Sequence, residues 1–295
     1  MHTSASKTSP RGRRLLIAGC GDLGTGLGLA WCAAGGEAFG LRRNAARIPT
    51  PIIPVSADLT DPASLGSLPE AVDAIAYIAT PERYDALHYR LAYVDGLTNL
   101  LAAIPGAGHG GCRLLFTSST SVHGEDAGEL VDETTPPAPR NFSGELLLQA
   151  EQLLDGRENA VVVRFGGIYG PGRTRLIERA RKGQPVSDNP PSWTNRIHRD
   201  DCVDVLLHLL TLNTPQRLYI GVDTCPTPLH TVLDWLANAQ GLPPPPRSEG
   251  GGSQGKRCSS RRLVESGYRF RYPDFKAGYA ELLAGMPGAQ GRSGV

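Results

Sequence analysis

Lysine is scarce in this sequence, and the scarcity restricts the chemistry that the chain can perform. Of the 30 basic residues among 295, all are arginines except Lys7, Lys182, Lys256 and Lys276. No lysine lies between Lys7 and Lys182. A mechanism that requires a lysine within residues 8–181 is therefore excluded.

Net charge, aromatic residues and long apolar runs are also sparse. The formal charge of +1 and the aromatic content of 6% disfavour a nucleic-acid partner or an anionic membrane. No apolar run is long enough to cross a bilayer, and the polar start lacks the apolar stretch of a signal peptide. The six cysteines show no CxxC pair and no metal-ligand spacing, which predicts free thiols in a reducing compartment. We therefore expect a cytoplasmic protein without a metal site.

What the sequence does contain is an alternation of short apolar runs and helical segments. Strands are predicted over residues 14–18, 37–41, 52–55, 74–79, 113–117 and 160–164, and helices over residues 23–34, 84–104 and 145–154. This order predicts an α/β fold with a Rossmann-like, doubly wound parallel sheet. After residue 164, glycine and proline are more frequent, with helices predicted over residues 176–181, 200–212 and 229–239 and a loop over residues 242–254.

The predicted organisation has one main domain and one smaller lobe. We assign residues 13–165 to a dinucleotide-binding domain and residues 166–285 to a substrate-side lobe interleaved with the core. The lobe is expected beside the carboxyl ends of the strands, where open α/β sheets bind ligands. Residues 1–12 and 286–295 are polar or rich in glycine and are predicted to be disordered tails.

A glycine-rich turn follows the first predicted strand and opens the first predicted helix. Gly19, Gly21 and Gly24 stand in a GxGxxG spacing. The first glycine permits the tight turn, the second lets the backbone approach a pyrophosphate, and the third lets helix and strand pack closely. Amide N–H groups at the helix start attract the anion. The turn predicts a nicotinamide dinucleotide site.

Two arginines at the end of the second strand favour NADP over NAD. An acidic residue there would accept hydrogen bonds from ribose hydroxyls, whereas Arg42 and Arg43 offer donors to a 2′-phosphate. NAD remains open, because both arginines are otherwise solvated surface charges. Asp58 and Leu59 follow the third strand, and either flank the adenine or, for the aspartate, cap a helix.

With these residues, the chain resembles the extended short-chain dehydrogenases/reductases, most closely the atypical members of the NAD-dependent epimerase/dehydratase family. Four further segments carry the resemblance: residues 118–124 (SSTSVHG), 164–173 (RFGGIYGPGR), 196–201 (RIHRDD) and 219–241. The last of these is similar to a strand and helix of the family's substrate lobe. The resemblance implies further cofactor contacts from Asp22, Leu23, Ala79, Thr80, Gly167 and Ile168.

The family's catalytic pair is missing from this chain. The family uses a Tyr-x-x-x-Lys pair, in which the tyrosine exchanges a proton with the substrate oxygen and the lysine holds the ribose and lowers the tyrosine pKa. The helix that should carry the pair has Ser143 and Leu147 at those positions, when Glu151 is matched to a later family glutamate. No tyrosine lies between Tyr93 and Tyr169. Ser119 matches the hydroxyl that orients the substrate.

Three other groups are candidates for the missing acid or base. His123 replaces a family tyrosine and titrates near neutrality unless it packs against the sheet edge. Tyr93, on the helix lining the expected site, donates a proton or else belongs to the core. Glu145 lies near the vacated pair, although a first-turn helix carboxylate is its plainer role. For an anionic substrate the resemblance implies four residues: Arg173, Arg175, Arg196 and His198.

Two functions remain open from the sequence. The first is an NAD(P)-dependent oxidoreductase or epimerase acting on a carbonyl or nucleotide-sugar-like substrate with a non-standard acid/base. The second is a non-catalytic module that binds or senses NADP(H). Both predict a small-molecule ligand, no nucleic acid or membrane, and a monomer or homodimer.

Overall fold

The computed structural model describes residues 6–250 and 252–286, and a seven-stranded parallel sheet forms its centre. The bounds of its strands are β1 Arg14–Ala18, β2 Glu37–Arg42, β3 Ile53–Ser56, β4 Ala74–Tyr77, β5 Arg113–Ser119, β7 Ala160–Phe165 and β11 Leu218–Gly221. Their spatial order is β11-β7-β5-β4-β1-β2-β3. Within the described ranges, three two-stranded sheets are formed by β6 Ala127–Val131, β8 Gly167–Tyr169, β9 Trp193–Thr194, β10 Arg196–His198, β12 Thr227–Pro228 and β13 Gly255–Cys258.

Helices cover both faces of the central sheet. Their bounds are α1 Asp22–Ala33, α2 Ala86–Tyr89, α3 Gly96–Ala103, α4 Phe142–Gln152, α5 Arg175–Arg181, α6 Arg199–Thr211, α7 Leu229–Ala239, α8 Arg261–Glu265 and α9 Phe275–Ala284. Helices α1 and α6 pack against each other on one face, and α3 and α4 lie on the other. The predicted α/β, doubly wound parallel fold is confirmed.

The alternation of side chains along the buried strands explains this layering. Successive strand residues point to opposite faces of a sheet. Along β1, Leu15 and Ile17 join the core under α1 and α6, whereas Leu16 and Ala18 join the core under α3 and α4. Because both faces are covered, the strand is apolar at each of residues 15–18 and not only at every second one.

The strand within residues 219–241 belongs to the central sheet and not to the lobe. β11 pairs in parallel with β7, Tyr219 opposite Val163 and Gly221 opposite Phe165. The assignment of this strand to the substrate lobe was wrong. The strand has only four residues, and nearly all of them are buried. Such a short apolar run is equally compatible with a lobe core and with the edge of a sheet.

The helix predicted over residues 84–104 is interrupted by a π-helical segment at Arg90–Asp95, between α2 and α3. The buried Tyr77 hydroxyl donates a 2.6 Å hydrogen bond to the Ala92 carbonyl in this segment. A side chain that bonds to a helix carbonyl competes with the regular ladder of backbone hydrogen bonds. Such π-segments are frequent at functional sites.

The lobe has a core of its own, built on α5, α7 and α9 with Tyr169. The boundaries assigned to the domain and the lobe stay predictions. The N-terminal tail prediction is wrong for residues 6–12, because Lys7 forms an antiparallel bridge with Leu212 and the Thr8 amide donates to the Thr211 carbonyl at 2.7 Å. Residues 1–5 and 287–295 of the predicted tails lie outside the described residues. None of the described helices is both long and apolar enough to cross a membrane.

Candidate functional site

The glycine-rich turn joins β1 to α1, and each of its glycines has a distinct steric reason. Gly19 has a φ of +96°, and a Cβ atom there would lie 2.7 Å from the Ala79 backbone nitrogen. At Gly24, a Cβ would lie 2.8 Å from the Gly19 carbonyl oxygen, so the helix packs directly on the turn. A Cβ at Gly21 would meet nothing within 4 Å. The backbone at Gly21 is therefore open to a ligand.

The N-terminus of α1 faces the same open space. The helix starts at Asp22, and no side chain caps its first turn at Gly21. Its free amides and its dipole therefore favour an anion at this point. The turn thus fits a diphosphate, because glycine at position 21 leaves open the space beside these amides. Any side chain there would occupy that space.

Two adjoining cavities extend from this turn along the carboxyl ends of the strands. The β2-side cavity, of about 320 Å³, lies between Arg42, Arg43, Asp58 and Glu82. The β5-side cavity, of about 720 Å³, reaches from the turn to Ser119 and Arg175. Both share the walls at Gly19, Gly21, Ile78, Ala79 and Thr80. Every residue predicted to bind cofactor lines one or both: Gly19, Gly21, Asp22, Leu23, Gly24, Arg42, Arg43, Asp58, Leu59, Ala79, Thr80, Gly167 and Ile168.

The β2-side cavity is bounded by charged groups. Arg42 donates from Nη1 to the Cys20 carbonyl at 3.3 Å, which holds it against the glycine turn. Arg43 forms an ion pair with Glu82 across the cavity, and both side chains are more than half exposed. Asp58 accepts hydrogen bonds from the amide and the hydroxyl of Thr60, at 2.9 and 2.8 Å. The aspartate therefore both lines the cavity and orders its own loop.

Hydroxyl groups line the β5-side cavity. Ser119 lies at the end of β5, and its Oγ accepts a hydrogen bond from the Ser121 amide at 3.2 Å. Ser143 and Leu147, one turn apart on α4, also face this cavity. The structure therefore brings to the cavity both positions that the resemblance gives to the catalytic pair. Neither side chain carries a group that titrates near neutral pH.

Tyrosines from the segment before α3 complete the wall, and sequence reasoning found only one of them. Tyr84, Tyr89 and Tyr93 all line the β5-side cavity. Tyr84 and Tyr89 pack on Phe142, with ring centroids 5.1 and 5.4 Å apart from it. The available sequence signal was the spacing of the tyrosines at the start of a predicted helix. That spacing did not reveal that Tyr84 packs against α4.

Tyr93 is placed in the cavity wall, but burial raises its pKa well above the ordinary value for tyrosine. Its ring packs edge-on against Phe116, with centroids 6.4 Å apart. Tyr93 therefore lines the cavity and also packs against the core, so each of its two predicted roles is partly correct. A phenol with so high a pKa is a poor base.

His123 is not among the residues that line the cavity, so the prediction that it titrates near neutrality in the site is wrong. The residue is 2% exposed, and Arg164 Nη1 lies 3.0 Å from its Nε2 atom. Burial, followed by the charges of Arg164 and Lys256, lowers the pKa of His123 to about 4. The imidazole packs as a neutral hydrogen-bond acceptor under the sheet edge.

A buried neutral histidine makes stability depend on pH. The unfolded chain binds a proton at His123 below about pH 6.5, whereas the folded chain resists protonation down to about pH 4. We expect the free energy of unfolding to fall as pH drops through this window, by up to about 1.4 kcal/mol per pH unit. Urea unfolding of the wild type and of His123→Asn between pH 4 and 7 measures the difference in slope, and equal slopes would contradict the assignment.

A buried ionic network lies beneath Ser119. Glu151 of α4 accepts hydrogen bonds from Ser118 Oγ at 2.5 Å, from Arg164 Nε at 3.0 Å and from Arg164 Nη2 at 2.6 Å. Both charged side chains are less than a tenth exposed. The network ties α4 to β5 and β7 directly behind the cavity. Glu145, by contrast, is exposed on the first turn of α4, as its plainer interpretation predicts.

The four residues expected to hold an anionic substrate do not converge. Arg173 and Arg175 line the β5-side cavity, and Arg173 forms a 3.0 Å ion pair with Asp22. Arg196 is 3% exposed, above the Phe275 ring, and His198 packs on Tyr272 with centroids 4.0 Å apart. The expectation for Arg196 and His198 is therefore wrong, because the lobe buries both side chains within its own core. Within residues 6–250 and 252–286, no group of histidine, cysteine or acidic residues could hold a metal.

Sequence comparisons relate this chain to known proteins. The family model described as the NAD dependent epimerase/dehydratase family matches residues 15–221. Protein YeeZ of Escherichia coli (strain K12) is 31% identical over 166 residues, which are 55% of this chain and 59% of that protein. The match therefore spans less than two thirds of that relative.

Solved structures match over nearly the whole chain. The structure of an inferred NAD-dependent epimerase/dehydratase from Methylobacillus flagellatus is 38% identical, with a TM-score of 0.76, and covers 92% of this chain and 98% of that one. Two structures at 20% identity share the fold. These are MoeE5 with UDP-glucose and NAD (TM-score 0.72, 91% of this chain and 96% of that chain), and human epimerase family protein SDR39U1 with NADPH (0.75, 92% and 100%). The chain belongs to the NAD-dependent epimerase/dehydratase family.

Proposed function

We propose that this protein binds NADP(H) and transfers a hydride between the nicotinamide and the carbonyl or alcohol group of a small anionic substrate. One observation carries the proposal. The predicted cofactor residues line two adjoining cavities, and the second of these continues past Ser119 to Arg173 and Arg175. A pocket that served the cofactor alone would not need this extension.

Different residues along the two cavities bind different parts of the cofactor and the substrate. The first-turn amides of α1 bind the diphosphate, and Arg42 and Arg43 bind the 2′-phosphate. The cofactor supplies or accepts the hydride. Ser119 orients the substrate oxygen, and Arg175 binds an anionic group, for which the diphosphate of a nucleotide sugar is the best-fitting class. The human neighbour was solved with NADPH and MoeE5 with UDP-glucose and NAD, so these neighbours support a nicotinamide dinucleotide and a nucleotide sugar. The choice of NADP rests on Arg42 and Arg43, which line the β2-side cavity.

The arginine pair should distinguish NADPH from NADH. We expect Arg43→Ala to weaken NADPH binding about 10-fold, because a charge-assisted hydrogen bond is worth about 1.5–3 kcal/mol and Glu82 already engages this arginine. NADH has no 2′-phosphate, so its affinity should stay unchanged. Isothermal titration calorimetry with both coenzymes measures this difference.

Arg47→Ala provides the matched control. Arg47 is an exposed arginine beyond β2 that does not line the cavity. An equal loss of NADPH affinity in both variants would show a general charge effect, and an equal loss for NADH would remove the argument for NADP.

A second candidate, a non-catalytic NADP(H)-binding module, is favoured by Ser143 and Leu147 at the positions of the catalytic pair. Absorbance at 340 nm separates the two functions. The enzyme consumes NADPH in the presence of a carbonyl substrate or reduces NADP⁺ with UDP-glucose, whereas the module binds the coenzyme and leaves its redox state unchanged.

A further inference from the structure

The proposed hydride transfer requires a proton donor that α4 does not provide. When a carbonyl carbon gains a hydride, its oxygen must gain a proton, and a positioned acid accelerates this step by about 10²–10⁴-fold. Ser143 and Leu147 occupy the α4 positions that face the cavity. Given the proposed function, a group from another segment must act in their place.

A phenol from another segment reaches this point of the cavity. Tyr84 lies in the loop between β4 and α2, and its hydroxyl oxygen is 3.4 Å from Ser143 Oγ. Ser143 Oγ in turn donates to Asn141 Oδ1 at 2.7 Å. The hydroxyl of Tyr84 is therefore connected to the N-terminus of α4, whose dipole favours negative charge.

Ring packing fixes the position of this hydroxyl. The Tyr84 ring contacts Phe142 and Tyr89 edge-on, with centroids 5.1 and 5.4 Å apart. The residue is nevertheless 71% exposed, so water reaches the phenol. Tyr84 thus combines an ordered ring with an accessible hydroxyl at the cavity.

The other titratable groups of this cavity are less suited to exchange a proton. Burial raises the pKa of both Tyr89 and Tyr93. Asp22 is held in ion pairs with Arg173 and Arg199, at 3.0 and 3.1 Å. Arg173 and Arg175 are guanidinium groups, which do not deprotonate in proteins.

We propose that Tyr84 is the catalytic acid and base of this protein, a phenol supplied by the β4–α2 loop in place of the missing tyrosine on α4. In reduction, the carbonyl carbon gains the hydride of NADPH, the Tyr84 O–H bond breaks, and its proton passes to the carbonyl oxygen. The products are an alcohol, NADP⁺ and a phenolate, which regains a proton from water. In oxidation, the phenolate accepts the alcohol proton as the hydride leaves for NADP⁺.

The test uses the full chain with NADPH and UDP-4-keto-6-deoxyglucose, a nucleotide-sugar carbonyl probe whose reduction is followed at 340 nm. We expect Tyr84→Phe to lower kcat about 100-fold or more, without changing the dissociation constant of NADPH. The phenyl ring keeps the contacts with Phe142 and Tyr89, so packing is retained. Leu87→Ala serves as the control, because Leu87 is 62% exposed just beyond Tyr84 and does not line the cavity.

Each outcome decides between the two proposals. If Tyr84→Phe reduces the probe as fast as the wild type, the assignment of Tyr84 is overturned and the proposed function stands. If the wild type binds NADPH but does not reduce the probe, both the oxidoreductase function and the role of Tyr84 are overturned, while cofactor binding stands. A loss confined to kcat and to Tyr84→Phe supports the assignment.

Discussion

Replacing Gly21 by aspartate is expected to weaken NADPH binding about 100-fold or more without unfolding the protein. A Cβ at this position meets no protein atom within 4 Å, so the new side chain enters the space assigned to the diphosphate. Its carboxylate would also take the free amides of α1 and repel the anion. Two like charges about 4 Å apart cost about 4 kcal/mol near a protein surface, which exceeds the 1.4 kcal/mol that corresponds to a tenfold change in affinity.

The fold should tolerate this change because Gly21 is the N-cap of α1. Aspartate is among the preferred N-cap residues, and its exchange with glycine changes stability by only about a few tenths of a kcal/mol. Gly21→Asn is the matched variant, since it has nearly the same volume and no charge. Calorimetry should give the order wild type, Asn variant, Asp variant in decreasing affinity. Wild-type affinity in Gly21→Asp would contradict the placement of the diphosphate at this turn.

Replacing Glu151 by glutamine should cause the largest loss of stability of any single substitution considered for this protein. The change leaves the buried guanidinium of Arg164 without its carboxylate. Removing one partner of a buried ion pair costs about 3–5 kcal/mol, because the remaining charge stays in a poorly solvated site. For a chain of this size we expect Tm to fall by about 10 °C.

Glu145→Gln is a control on the same helix. Glu145 is exposed, and surface substitutions of this kind change stability by about 0.5 kcal/mol or less. Thermal unfolding of both variants, followed by circular dichroism, measures the contrast. Similar Tm values for the two variants would mean that the Glu151–Arg164 pair contributes little beyond its packing.

The order of strands and helices was predictable because each element carries its own local signal. β1 and β7 contain continuous apolar runs at residues 15–18 and 160–163, and Gly19 and Gly24 stand at positions of the turn where a Cβ atom would clash with backbone. Such patterns depend on a few neighbouring residues, so they can be recognised in the sequence without the rest of the fold. β11 shows the limit, because four residues, three of them buried, reveal a strand but not the sheet to which it belongs.

The substrate side was predicted less well because its residues are brought together by long-range packing. Arg196 and His198 lie in a motif that resembles the family's substrate segment, yet they pack into the lobe core beside Phe275 and Tyr272. His123 is similarly hidden behind Arg164. Sequence position alone does not show whether a polar side chain faces a cavity or a buried partner.

By itself, the sequence determined the α/β fold and the glycine-rich turn, since periodicity and glycine spacing act over a few residues of backbone. It also determined that the usual tyrosine and lysine are missing. The tertiary structure decided which side chains share the β5-side cavity. Tyr84 and Ser143 are 59 positions apart in the sequence. They lie close together only because the β4–α2 loop and the first turn of α4 lie at the same edge of the sheet. The packing of separate elements determines this contact, and no local pattern of residues predicts it.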